Sequence, residues 1–165
     1  RLILLTKYNY KNIYELDNIS RIDLSLLVKD SKNLISSLSA LLILTNKSLL
    51  SYKTSSSGNL YKGDNQKSTL LRATNYRLDI FTFIENLLNY YLPRIRYFKG
   101  FPLNSISKSG NFSFIFKDLM VFPQLEEELE IFYKLKDLRL DIVWGKNLKV
   151  NHLFFYRLLG FNFIR

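Results

Sequence analysis

Residues 92–125 read LPRIRYFKGFPLNSISKSGNFSFIFKDLMVFPQL, and this stretch decides the fold. Pro93 should stop the apolar segment before it, because proline lacks the N–H that a helix interior needs. The turn Pro93-Arg94-Ile95-Arg96 is basic, Phe98-Lys99-Gly100 follows, and a polar loop closes on Gly110-Asn111. From Asn111 to Lys117 the residues alternate: Phe112, Phe114 and Phe116 on one side, Ser113, Ile115 and Lys117 on the other. That is the period of a half-buried strand, which predicts the three phenylalanines in a core rather than on a base-stacking platform. Nothing in the stretch could do acid–base or nucleophilic chemistry; its guanidinium groups, basic loop and aromatic strand suit the holding of a folded RNA.

Working outward, Ile19 to Lys29 alternates in the same way and predicts a first strand. Ser31 to Thr45 predicts a helix, with Ser31 as N-cap and Leu34, Leu38, Leu41 and Leu42 on its apolar face. The polar tract Lys47–Gln66 reads as a long loop between strands at Ser48–Lys53 and Ser68–Thr74. Asn75 to Tyr91 predicts a second helix, with a stripe of Leu78, Phe81, Ile84, Leu88 and Tyr91. Leu138 to Trp144 predicts a further strand, and Val150 to Leu159 a last helix capped at Gly160. Strands and helices mix without a βαβ repeat, so the expected class is α+β, in one domain covering residues 1–165.

Composition narrows the partner. The 165 residues carry a net charge of +10, with pI near 9.7, which points to a polyanion. Residues 1–112 hold sixteen Lys/Arg against seven Asp/Glu, and residues 113–165 hold eight against seven. The basic character therefore belongs to the first two-thirds. Glu126, Glu127, Glu128 and Glu130 form an acidic patch that would repel RNA and reads as solvated or protein-facing. The chain has no cysteine, which excludes disulfides and a thiolate zinc site. Leu2 to Leu5 is too short for a signal segment, and no apolar run approaches the roughly 20 residues that span a bilayer. His152, the only histidine, has no metal or triad partner legible in sequence and reads as a surface or satisfied residue. The richness in Asn, Ile, Leu, Lys, Phe and Tyr is the bias of an AT-rich genome, organellar genomes included.

Pro93 to Pro123 resembles bacterial-type large-subunit ribosomal protein five, the 5S-rRNA-binding family of the central protuberance. The family pattern runs Pro-Arg-hydrophobic-Arg, Phe-Arg-Gly, a Gly-Asn-Tyr-Ser strand and Phe-Pro-Glu. Pro93, Arg94, Ile95, Arg96, Phe98, Gly100, Gly110, Asn111, Ser113, Phe122 and Pro123 match it without a gap. Lys99 and Lys117 keep the charge of family arginines. Weaker similarity covers Ile19–Val28, Thr45–Ser48, the hairpin Lys53–Thr74, Leu135–Val143 and Leu158–Phe163. Ser107-Lys108-Ser109-Gly110-Asn111 stands where the family has Asp-Gly-Arg-Gly-Asn, and the hairpin has lost basic residues to Ser and Asn. Such drift looks like a mitochondrial version.

The resemblance implies an antiparallel sheet with helices on one face and a long protruding basic β-hairpin at about 47–74. It implies no cofactor, no metal and no catalysis. The expected partners are large-subunit rRNA, 5S rRNA or its replacement, P-site tRNA and neighbouring ribosomal proteins. Carried over position by position, the rRNA contacts would be Ser25, Asn46, Lys47, Ser51, Thr74, Arg94, Arg96, Lys99 and Lys108. In the hairpin, Lys53, Lys62, Lys67 and Arg72 would meet phosphate, and Tyr61 would stack on a base or ribose. Arg94, Arg96 and Lys99 have a second reading, as cations complementing a helix C-terminus. An RNA-acting enzyme is the rival class, but Asp23 and Asp79 are isolated and there is no Gly-rich phosphate loop. A peripheral membrane protein would need a basic amphipathic helix, which the scattered cations do not make.

Overall fold

The computed structural model describes residues 19–28, 33–45, 51–57, 66–76, 78–145 and 152–164; for 51–57, 66–68, 76 and 78–79 it describes the backbone alone. Five strands form one antiparallel sheet in the order β2-β3-β1-β6-β5. They are β1 (Ile19–Val28), β2 (Ser51–Ser57), β3 (Gln66–Tyr76), β5 (Phe112–Asp118) and β6 (Lys136–Trp144). A second, parallel pair joins β4 (Phe101–Pro102) to β7 (Phe163–Ile164).

Alternation decides which face each strand buries. Ile22, Leu24 and Leu26 of β1, Leu71 and Ala73 of β3, Leu138, Leu140 and Ile142 of β6, and Phe112 and Phe116 of β5 are all buried. The register puts Leu24 opposite Ala73 and Leu140, and Phe112 opposite Ile142, so these side chains share one face. Helices α1 (Leu34–Thr45) and α2 (Leu78–Asn86) pack on β1 and β3 and complete the core with Ala40, Leu41, Ile80, Phe83 and Ile84. The class is α+β, as the patterning implies, and Phe112 and Phe116 are core residues.

Several expectations change. The buried side of α1 holds Ser37, Ala40, Leu41 and Thr45, while Leu42 is exposed. Ser37 can be buried there because its hydroxyl donates to the Asn33 and Leu34 carbonyls. Ser31, the expected cap, lies outside the described residues. Asn75 and Tyr76 belong to β3, so the second helix starts at Leu78, and Phe81 is exposed where Ile80 and Phe83 are buried. Pro93 does not end this helix at once. A π-helical turn (Leu87–Tyr91) leads into a last turn, α3 (Leu92–Arg94), and the Leu92 N–H donates to the carbonyl of Leu87, five residues back. Pro93 sits in the first positions of that new turn, where a missing N–H costs little.

The described part of the polar tract is strand rather than loop. Ser51 to Ser57 pairs with Gln66 to Arg72, and the pairs Ser55↔Ser68, Ser56↔Lys67 and Ser57↔Gln66 run beyond the last β1–β3 pair, Val28↔Thr69. Residues 58–65, between β2 and β3 in sequence, lie outside the described residues. Short turns α4 (Pro123–Glu126) and α5 (Leu129–Phe132) precede β6, and α6 (His152–Leu158) ends at Gly160, whose φ of +101° is the left-handed cap expected there.

Candidate nucleic-acid interface

The outer side of the sheet follows from the same register. Arg21, Asp23 and Ser25 of β1 alternate with the buried leucines, and Arg72 and Thr74 of β3 lie opposite Ser25 and Asp23. Arg139 and Asp141 of β6 flank the same two residues from the other side. Asp23 is only 3% exposed. Its Oδ2 accepts a hydrogen bond from Arg21 Nε at 3.2 Å and lies 4.0 Å from Arg72 Nη1. Its Oδ1 and the Nε of Arg72 are buried with no hydrogen-bond partner. Arg139 Nε donates to Asp141 at 2.9 Å. Both tight pairs are Arg-x-Asp on one strand, a spacing that places the two side chains on one face. This was the signal in the sequence for Arg21 and Arg139, which the family comparison passed over.

The arrangement corrects two expected contacts. Ser25 and Thr74 are 4% and 5% exposed, so neither hydroxyl is open to a ribose or phosphate. Ser25 sits between Arg72 and Arg139 in register, and a short side chain is covered by longer neighbours. Arg72 itself is partly open, with 41% of its side chain exposed.

At the far edge of the sheet a groove of about 730 Å³ lies between the Arg94–Arg96 turn and β5. Ile95, Phe114 and Phe116 line it with apolar surface, Arg94, Arg96 and Lys117 supply cations, and Asp118 and Glu126 supply carboxylates. Arg94 is not free: its Nη2 donates to Oε1 of Glu126, 32 residues away. The acidic run thus reaches back to the basic turn, and one member of it, still exposed, is an ion-pair partner. The pair is exposed on both sides, and such pairs stabilise by about 0–1 kcal/mol. Arg96, Lys99 and Lys117 are exposed and form no ion pair among the described residues.

Lys108 is carried on a braced loop. Ser107 N–H donates to the Asn111 carbonyl at 2.8 Å, Gly110 N–H to the Ser107 carbonyl at 2.9 Å, and Asn111 N–H to Ser107 Oγ at 3.1 Å. Lys108 is exposed at the tip. Of the remaining expected residues, Asn46, Lys47, Tyr61 and Lys62 lie outside the described residues. Ser51, Lys53 and Lys67 are placed by register alone, opposite Arg72, Leu70 and Ser56. His152 is neither fully exposed nor satisfied: its ring lies 5.1 Å from that of Trp144, and its Nδ1 is buried without a hydrogen-bond partner. Among the described residues no group of three or more His, Cys, Asp or Glu could hold a metal ion, and no helix is long and apolar enough to cross a membrane.

The geometry therefore offers cations on a polar sheet face, a groove of mixed charge with Arg96 and Lys117 unpaired among the described residues, and a lysine loop. Comparison with known proteins gives the family. The model of the ribosomal L5P family C-terminus matches residues 71–163, which takes in the second half of β3, the groove, the loop and β6. The large ribosomal subunit protein uL5m of Reclinomonas americana is 30% identical over 147 residues, covering 87% of this chain and 81% of that protein. The uL5 of Clostridium tetani is 28% identical over 127 residues (74% and 71% covered), and the uL5c of Rhodomonas salina 28% over 128 residues (75% and 71% covered). With more than half of its length matched by the family model, the chain belongs to the ribosomal L5P family, as a structural constituent of the large ribosomal subunit rather than an enzyme.

Proposed function

We propose that this protein acts in the large subunit of a mitochondrial ribosome, as one domain in the central protuberance. There it holds 5S rRNA, or whatever RNA replaces it, together with large-subunit rRNA. The observation that carries this reading is the group of exposed cations outside ion pairs in the groove, turn and loop, Arg96, Lys99, Lys108 and Lys117 among the described residues, on a chain similar to uL5m over most of its length. Phosphate contacts of this kind position an RNA without reading its sequence. Asn46, Lys47 and Ser51 would add contacts beside the sheet. The hairpin at about 47–74 would carry Lys53, Tyr61, Lys62, Lys67 and Arg72 toward the P-site tRNA, the lysines on phosphate and the tyrosine stacked.

Binding by cations releases counterions, so affinity must fall with salt. The expected result is co-sedimentation with mitochondrial large subunits at low salt and release at high salt, with a linear plot of log affinity against log salt. Lys99→Ala should lower that slope by about one. Nucleotide-mapped crosslinks from residues 53–72 to tRNA, and from residues 94–108 to 5S or large-subunit rRNA, would assign the two regions. A slope near zero would remove the electrostatic clamp, and hairpin crosslinks confined to protein would remove the tRNA role.

A further inference from the structure

We propose that Tyr156, a buried residue, is a positioning residue for the Ser107–Asn111 loop, and that Trp144 acts with it. The inference rests on the reading of Lys108 as a phosphate contact. Ser107, Lys108 and Ser109 are all exposed, and a Ser-Lys-Ser-Gly tip has little surface of its own to bury. Its base, however, is tied to the core at two consecutive residues. The Tyr156 hydroxyl donates to the Gly110 carbonyl at 3.0 Å. Trp144 Nε1–H donates to the Tyr156 hydroxyl at 2.7 Å, and the Trp144 backbone N–H donates to Asn111 Oδ1 at 3.2 Å.

The chain of donors runs one way, from indole to phenol to loop carbonyl. Trp144 ends β6, and Tyr156 is fully buried in α6 with its ring 5.5 Å from those of Phe112 and Phe161. These two elements are held by the aromatic core, so the loop inherits their rigidity. Burial pushes the Tyr156 hydroxyl well above the usual tyrosine range, so it stays a donor at any physiological pH. A loop already held in its bound shape loses less conformational freedom when RNA arrives.

The test uses the full chain, an in-vitro transcript of large-subunit rRNA, and four proteins: wild type, Tyr156→Phe, Lys108→Ala and the double variant. Tyr156→Phe keeps the ring and removes the donor. It should bind about 3- to 10-fold more weakly with the salt slope unchanged. It should also speed amide hydrogen exchange at Gly110 and Asn111 while the interior of β5 stays protected. Lys108→Ala should lower the slope by about one, and adding Tyr156→Phe to it should cost nothing further. Trp144→Phe, which removes the indole donor, should reproduce the Tyr156→Phe pattern and guards against a folding artefact. Unchanged loop exchange in Tyr156→Phe, or the same loss of affinity with and without Lys108, would overturn the positioning role. An unchanged slope in Lys108→Ala would instead overturn the phosphate reading of the loop, and the inference with it.

Discussion

Phe101→Ala is expected to destabilise the fold by about 3–5 kcal/mol, the range for removing a fully buried phenylalanine. Phe101 is 0% exposed and stands at the centre of an aromatic cluster. Its ring centroid lies 4.9 Å from Phe98, 5.0 Å from Phe112, 4.8 Å from Phe114 and 5.5 Å from Phe161. Most of these contacts are edge-to-face, the arrangement that ring quadrupoles favour. The four neighbours come from three places: Phe98 from the turn after α3, Phe112 and Phe114 from strand β5, and Phe161 from the C-terminal segment. The Phe101 N–H also donates to the Asn162 carbonyl at 2.8 Å, which fixes β4 against β7. Collapse into the vacated space is blocked, because the same rings are held by β5 and by Tyr156. With a urea m-value of a few kcal/mol per molar, the midpoint should fall by roughly 2 M. A shift below about 0.5 M would show that the cluster repacks and that Phe101 is not its centre. Since domains of this size have about 5–15 kcal/mol of stability, the variant should also assemble poorly into subunits.

The parts of the fold that were legible are those in which one strand carries its own answer. β1, β5 and β6 alternate apolar and polar residues, and in each the alternating apolar set faces the core, although Asp23 and Ser25 of β1 are buried on the other side and Phe114 of β5 is only partly covered. The second helix was less legible because it is apolar on several sides. Leu78, Ile80, Phe81, Phe83, Ile84, Leu87 and Leu88 support two stripes, and the π turn at Leu87–Tyr91 changes the phase partway along. The β4–β7 pair has no sequence signal at two residues each. The site was harder for the same physical reason. Whether Ser25 is open to solvent depends on Arg72 and Arg139, on other strands, and whether Arg94 is free depends on Glu126. The stretch 92–125 remains the best family marker, yet its phenylalanines are architecture. The RNA contact proposed for its loop would depend on Trp144 and Tyr156, which lie outside the stretch.

That dependence makes Gly110 the most demanding position of the loop. Gly110→Ala is expected to cost about 2–5 kcal/mol, from two sources that can be separated. Gly110 has φ of +82°, where an alanine loses about 1–2 kcal/mol relative to glycine. A Cβ built there would also lie 2.3 Å from Cγ and Cδ2 of His152 and 2.4 Å from its Nδ1. The imidazole cannot swing away freely, because it packs on Trp144, and overpacking of this kind costs about 1–3 kcal/mol. Moving it would disturb Trp144 and with it the hydrogen bond to Tyr156, so the loop should loosen along with the loss of stability. The two sources separate in a double-mutant cycle. On a His152→Ala background the steric part should vanish, leaving Gly110→Ala with only the backbone cost. The midpoint of thermal unfolding for wild type, both single variants and the double variant measures this. Additive losses across the cycle would mean that the ring gives way at no cost, and that Gly110 is needed for its backbone angle alone.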